Sequence, residues 1–135
     1  MPKITLPAEI DNIETATDFI NGILDEADCS MKAQVQLDIA LDEMMSNVAR
    51  YAYTSNVGDV TVSIEILDDP RRAVLTLTDE GIPYDPLQKE DPDITLSAEE
   101  RKIGGLGIYI VKKSMDDMSY AFEDGKNIVT IIKNI

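Results

Sequence analysis

Glu43, Asn47 and Arg50 recur at steps of four and three within Leu37 to Tyr53, LDIALDEMMSNVARYAY. Read as a helix at about 100° per residue, their side chains fall within roughly 60° of one another. A proton acceptor, a carboxamide oxygen and a fixed cation then point one way. The same stretch carries Leu37, Leu41, Met44, Val48 and Ala52 at helical spacing, and leaves Asp38, Asp42 and Ser46 toward solvent. Taken alone, it reads as an ordinary amphipathic helix. Two later stretches add chemistry. Asp79-Glu80-Gly81-Ile82-Pro83-Tyr84-Asp85-Pro86 leaves an alternating segment in which Leu75, Leu77 and Asp79 share a face. A carboxylate delivered in line with apolar side chains needs a partner, such as an amine on a flat ring. Gly81 lets such a ring lie against the backbone, or serves a turn at positive φ. Gly104-Gly105-Leu106-Gly107 opens a further apolar-periodic stretch, where free N–H groups at a helix start favour anions. It is not a dinucleotide fingerprint, which needs a preceding strand and a third spaced glycine. It is not a Walker loop either, since no Gly-Lys-Ser/Thr follows.

The elements that must position these residues follow in order. Lys3 to Leu6 reads as a short edge strand stopped by Pro7. Ile13, Ile20, Ile23, Leu24 and Ala27 predict a first helix over about Asp11 to Ala27, and Ser30 is a fitting N-cap for a second that runs to about Tyr53. Val60, Val62, Ile64 and Ile66 alternate with polar residues, turn at Asp68-Asp69-Pro70-Arg71, and return as Ala73 to Asp79. Residues 82–103, rich in Pro, Asp and Glu, have no sustained period; so long a connection reads as a lid or binding loop. Ile108, Val111, Met115 and Met118 predict a third helix. Tyr120 to Phe122 and Ile128 to Ile132 predict a hairpin turning at Asp124-Gly125-Lys126-Asn127. The fold class is α+β, an α/β two-layer sandwich: a mixed, mostly antiparallel sheet with three helices on one face, all in a single domain over 1–135.

The 135 residues carry a net charge of −14 and no histidine. Such acidity argues against direct nucleic-acid binding and permits a basic protein partner. Without histidine, Ser-His and Cys-His catalysis and His-ligated metals are excluded. The lone Cys29 has no disulfide partner in the chain, which predicts a reducing, cytoplasmic setting and a small buried side chain. MPKITLPAEI does not read as a signal peptide, and no apolar run reaches the roughly 18 residues that a membrane span needs.

Taken together, the three motifs resemble the ATP-binding boxes of the Bergerat-fold (GHKL) superfamily, which includes gyrase-type ATPases, MutL and histidine kinases. Glu43-Met44-Met45-Ser46-Asn47 is similar to its N box, Asp79-Glu80-Gly81-Ile82-Pro83 to its first glycine box, and Gly104-Gly105-Leu106-Gly107 to its second. DEGIPYDP and GGLGIYIVKKSMDDMSY resemble, within that superfamily, the anti-sigma-factor serine/threonine kinases of the RsbW and SpoIIAB type. The resemblance implies the Bergerat ATP-binding fold, with ATP and Mg²⁺ as cofactors. It makes Asn47 the metal ligand, Glu43 the general base and Asp79 the reader of adenine. Gly104, Gly105, Leu106 and Gly107 become the phosphate loop, and Arg101 and Lys102 lid cations near the terminal phosphate. From the histidine kinases it carries over Arg50 as a phosphate contact and Tyr51 as an aromatic residue against adenine. It further implies a STAS-type anti-anti-sigma protein as substrate, a sigma factor as alternative partner and a homodimer. Two other readings share the motifs: a nucleotide-gated binding module without chemistry, and a detached histidine-kinase catalytic domain.

Overall fold

The computed structural model describes residues 2–53, 58–88 and 106–135. Among them are five strands, β1 (Lys3–Pro7), β2 (Asp59–Leu67), β3 (Arg72–Asp79), β4 (Asp117–Glu123) and β5 (Lys126–Asn134). They form one sheet in the order β1-β2-β3-β5-β4. Every pair is antiparallel, so the sheet is wholly rather than mostly so. The helices are α1 (Ile13–Glu26), α2 (Met31–Asn47) and α3 (Leu106–Ser114). The result is the two-layer α+β sandwich read from the sequence.

Alternation in the strands builds the core in rows. The register sets Ile64 opposite Leu75 and Leu75 opposite Ile131; the next row is Val62, Leu77 and Val129. All six are buried. Leu37, Ala40, Leu41, Met44 and Met45 of α2 pack on these rows, with Ile20 and Leu24 of α1 and Ile108 and Val111 of α3 completing the cluster. One row further on, the pattern becomes polar: Val60 pairs with Asp79, and Asp79 with Asn127. The end of the core layer therefore carries a carboxylate and a carboxamide side by side.

Local details depart from expectation at several points. Ser30 does cap α2, its hydroxyl accepting from the Ala33 N–H at 3.2 Å. The helix nevertheless ends at Asn47, and a π-helical turn, Val48–Ala52, follows. The third helix stops at Ser114, leaving Met115 in the connection and Met118 in β4. Lys126 and Asn127 belong to β5 rather than the turn, where Gly125 takes φ of 76°. The solvent face of α2 also differs. Ser46 is buried and donates to Asp42 at 3.4 Å, and Asp38 is half-buried under Asn21 of α1. Met31, Val35 and Ile39 line the exposed side instead, with Met31 at 75 % exposure. Cys29 is a free thiol, half-buried rather than buried; burial raises its pKa, with Asp25 adding to the effect and Arg71 opposing it. Of the expected lid, only residues 82–88 lie within the described part, ending in a 3-10 turn at Pro86–Gln88. No helix of the described residues is long and apolar enough to cross a membrane.

Candidate functional site

Asp79 arrives where alternation puts it, inward at the last position of β3, and is 7 % exposed. Its Oδ1 accepts from the Gly81 N–H and from Asn127 Nδ2, both at 2.9 Å. Two charge-assisted bonds hold the carboxylate as an acceptor. Oδ2 has no protein partner among the described residues and is left for a donor from outside. Beside it opens a small cleft. Met44 of α2 with Val48 and Ala52 of the π turn forms one side, Leu77 and Val129 the floor, Ile82 and Tyr84 the rim, and Pro86 closes the far end. Apolar walls with a few convergent polar groups describe a small-molecule site. The polar groups here are Asp79, Asn127 and Asn47. A more polar depression lies between Thr5, Thr61 and Thr78 and the side chains of Tyr53, Glu80 and Lys126. It lacks the apolar walls that would hold a flat ring.

Asn47 ends α2 and faces this cleft at 8 % exposure. Its Nδ2 is buried without a hydrogen-bond partner among the described residues. An orphaned buried amide is costly, and its carboxamide can offer an oxygen to a hard cation. No cluster of three or more metal-ligating side chains exists among the described residues. The carboxamide oxygen of Asn47 is of the kind that a hard cation such as Mg²⁺ accepts, and Mg²⁺ keeps several waters and needs no cage of protein ligands. Glu43 stands one turn earlier, half-buried. A methyl group on Gly107 would overlap its carboxylate. Gly107 thus lets the first turn of α3 close onto Glu43, a placement of negative charge that a helix N-terminus favours.

The site residues expected from sequence are not all brought together. Asn47 and Asp79 line one cleft, and Glu43 stands one turn before Asn47 on α2, outside that lining. Arg50 does not join the stripe, because the π turn after Asn47 advances the chain less per residue than an α-helix would; Arg50 is exposed and does not line the cleft. Tyr51 is likewise 46 % exposed. Its ring packs on Tyr84 from outside, with centroids 5.8 Å apart and planes tilted by 35°, and Tyr84 is the aromatic residue at the cleft rim. Gly81 has no positive φ. A methyl group there would overlap the Ala52 carbonyl, and the neighbouring Ile82 N–H donates to that oxygen at 2.9 Å. Gly81 thus lets the turn pack closely onto the π turn. Arg101, Lys102, Gly104 and Gly105 lie outside the described residues, and of Leu106 only its place at the start of α3 is described.

Sequence reasoning missed Asn127, 4 % exposed and bonded on both ends of its amide. Its signal was the alternation Asn127, Val129, Ile131, hidden by starting the strand at Ile128. It also missed Tyr53, whose hydroxyl donates to the Asp59 carbonyl at 2.6 Å and accepts from the Glu80 N–H at 2.9 Å. Burial raises the pKa of Tyr53 and of Tyr120, so both remain protonated donors at neutral pH.

Comparison with known proteins agrees in character with this geometry. The family described as "Histidine kinase-like ATPase domain" matches residues 6–133. The serine-protein kinase RsbW of Listeria monocytogenes is 28 % identical over 134 residues, covering 94 % of this chain and 84 % of that protein. RsbW of Bacillus cereus is 23 % identical over 131 residues, covering 94 % and 81 %. The serine/threonine-protein kinase BtrW of Bordetella bronchiseptica is 26 % identical over 102 residues, covering 76 % and 71 %.

Proposed function

Because the chain belongs to the histidine kinase-like ATPase domain family, we propose that it is an ATP- and Mg²⁺-dependent serine/threonine protein kinase of the anti-sigma-factor type. The observation that carries this reading is the meeting of Asp79 and Asn47 at one cleft. A carboxylate with one free oxygen, Asp79, sits at an apolar cleft that also receives Asn47, and Glu43 stands one turn along the same helix. Asp79 Oδ2 accepts the exocyclic amine of adenine, between the Leu77 and Val129 floor and the Tyr84 rim. Asn47 offers its carboxamide oxygen to Mg²⁺. When bound, that ion neutralises charge on the phosphates. Gly107, the residues at Gly104, Gly105 and Leu106, and the cations Arg101 and Lys102 take the phosphate side. Glu43 accepts the proton of a substrate Ser or Thr hydroxyl.

The substrate of this reading is a STAS-type anti-anti-sigma protein, with a sigma factor as the alternative partner and a homodimer as the working form. The net charge of −14 suits partners that present basic surfaces. The test is incubation with radiolabelled ATP, Mg²⁺ and a candidate STAS protein, beside Glu43→Gln as control. Label on a Ser or Thr of the partner, lost with Glu43→Gln, supports the kinase. ATP-dependent partner binding without label would replace it by a nucleotide-gated binding module.

A further inference from the structure

Asn127 is buried and hydrogen-bonded at both ends of its amide. Its Nδ2 donates to Asp79 Oδ1 and to the Ile82 carbonyl, each at 2.9 Å, and lies 3.4 Å from the Gly81 carbonyl. Its Oδ1 accepts from the Tyr84 N–H at 3.1 Å and from the Tyr120 hydroxyl. These partners fix the amide orientation. Flipping it would turn Oδ1 toward a carboxylate and two carbonyls, and the NH₂ toward an N–H and a hydroxyl. One side chain on β5 therefore holds the Asp79 carboxylate, the turn after β3 and the Tyr84 rim in a single geometry. With Gly81, it occupies Oδ1 completely and leaves only Oδ2 for a ligand.

We propose that Asn127 is the positioning residue for base selection: by clamping Asp79 Oδ1 and the Gly81–Tyr84 turn, it presents Oδ2 as a fixed acceptor at the cleft. This rests on the nucleotide reading above. A fixed carboxylate acceptor suits the exocyclic amine of adenine and repels guanine, which carries the O6 acceptor at that position. Without the clamp, the carboxylate rotates and the rim loosens, so discrimination falls along with affinity.

The probes are Mg²⁺ with ADP or GDP, titrated calorimetrically at pH 8 and at pH 5.5 into wild type, Asn127→Asp and Asn127→Ser. Asn127→Asp keeps the shape but sets a second carboxylate against Asp79, so at pH 8 ADP affinity should fall roughly tenfold or more. Lowering the pH should recover part of it, because a proton shared by the two carboxylates restores one donor. Asn127→Ser removes the clamp without adding charge. It should narrow the preference for ADP over GDP with no such recovery at low pH, and it carries the test if the Asp variant does not fold. Circular dichroism melts identify folded protein. Folded variants with wild-type ADP affinity, ADP-to-GDP preference and pH profile would overturn the positioning role, even if they melt earlier. A wild-type chain that binds neither nucleotide would overturn the nucleotide reading and this proposal with it.

Discussion

Glu43 and Asn47 are one helical turn apart, yet their surroundings differ: one is half-exposed beneath Gly107, the other a buried amide with an orphaned nitrogen. The proposed roles separate on mutation. Asn47→Ala should weaken Mg²⁺-nucleotide binding and phosphoryl transfer together, whereas Glu43→Gln should spare binding and lower transfer by roughly 10²-fold or more. Calorimetry beside a phosphorylation assay checks both, and wild-type transfer by Glu43→Gln would remove it as the base. Gly107→Ala should also slow transfer, because its methyl group displaces the Glu43 carboxylate; an unchanged rate would show that Glu43 need not sit where it does. At this scale much was legible. Glu43, Asn47 and Asp79 could be read because helical and strand periodicities fix where they point. The alternation Asn127, Val129, Ile131 reports the side that Asn127 faces, but its partners and those of Tyr84 depend on which distant segments meet, and no local period reports that.

The π turn after α2 and the turn after β3 form one unit. Ile82 N–H donates to the Ala52 carbonyl, and the Tyr53 hydroxyl links Asp59 to Glu80. Gly81→Ala drives a methyl group into the Ala52 backbone, which cannot swing aside as a flexible side chain can. It should cost about 1–3 kcal/mol of stability, the usual scale of overpacking, read as a shift in denaturant midpoint with unchanged slope. No shift would mean that the turn has room to move. A Glu-x-x-x-Asn-x-x-Arg spacing presumes a continuous α-helix, so the π turn is what the sequence pattern could not reveal and what takes Arg50 out of line. The α1–α2 contact holds a second element-scale case. Burial raises the Asp38 pKa above its ordinary value of 3.8, with the Asn21 hydrogen bond opposing it. A raised carboxyl pKa in the folded state means that folding takes up a proton. Asp38 therefore disfavours the fold once pH exceeds its folded-state pKa, and this cost fades as pH falls toward 3.8. Asp38→Asn should melt higher than wild type at pH 7, and the gap should close near pH 4 in thermal scans; a gap independent of pH would dismiss the titration.

Across the whole molecule, one apolar layer between the helices and the sheet does most of the stabilising, and α2 lies at its centre. Leu41 has no exposed surface, so Leu41→Ala should cost about 2–5 kcal/mol, measured by urea unfolding. A much smaller loss would mean that the layer collapses to fill the space. The class of this architecture was legible, since hairpin turns at Asp68–Arg71 and Asp124–Gly125 demand antiparallel neighbours. The strand order was not, because pairing of β3 with β5 joins segments that share no turn. That order has a kinetic side. β5 is the last described strand in the chain, yet it is inserted between β3 and β4, and Asp79 must find Asn127 across 48 positions of sequence. Helices and the β2–β3 hairpin can form as soon as they are synthesised, while the sheet and the cleft wait for β5. Such non-local pairing slows folding. Until β5 docks, β3 exposes an unpaired edge to any other chain, and the shared hydrogen bonds that make the cleft form in the same step that closes this edge.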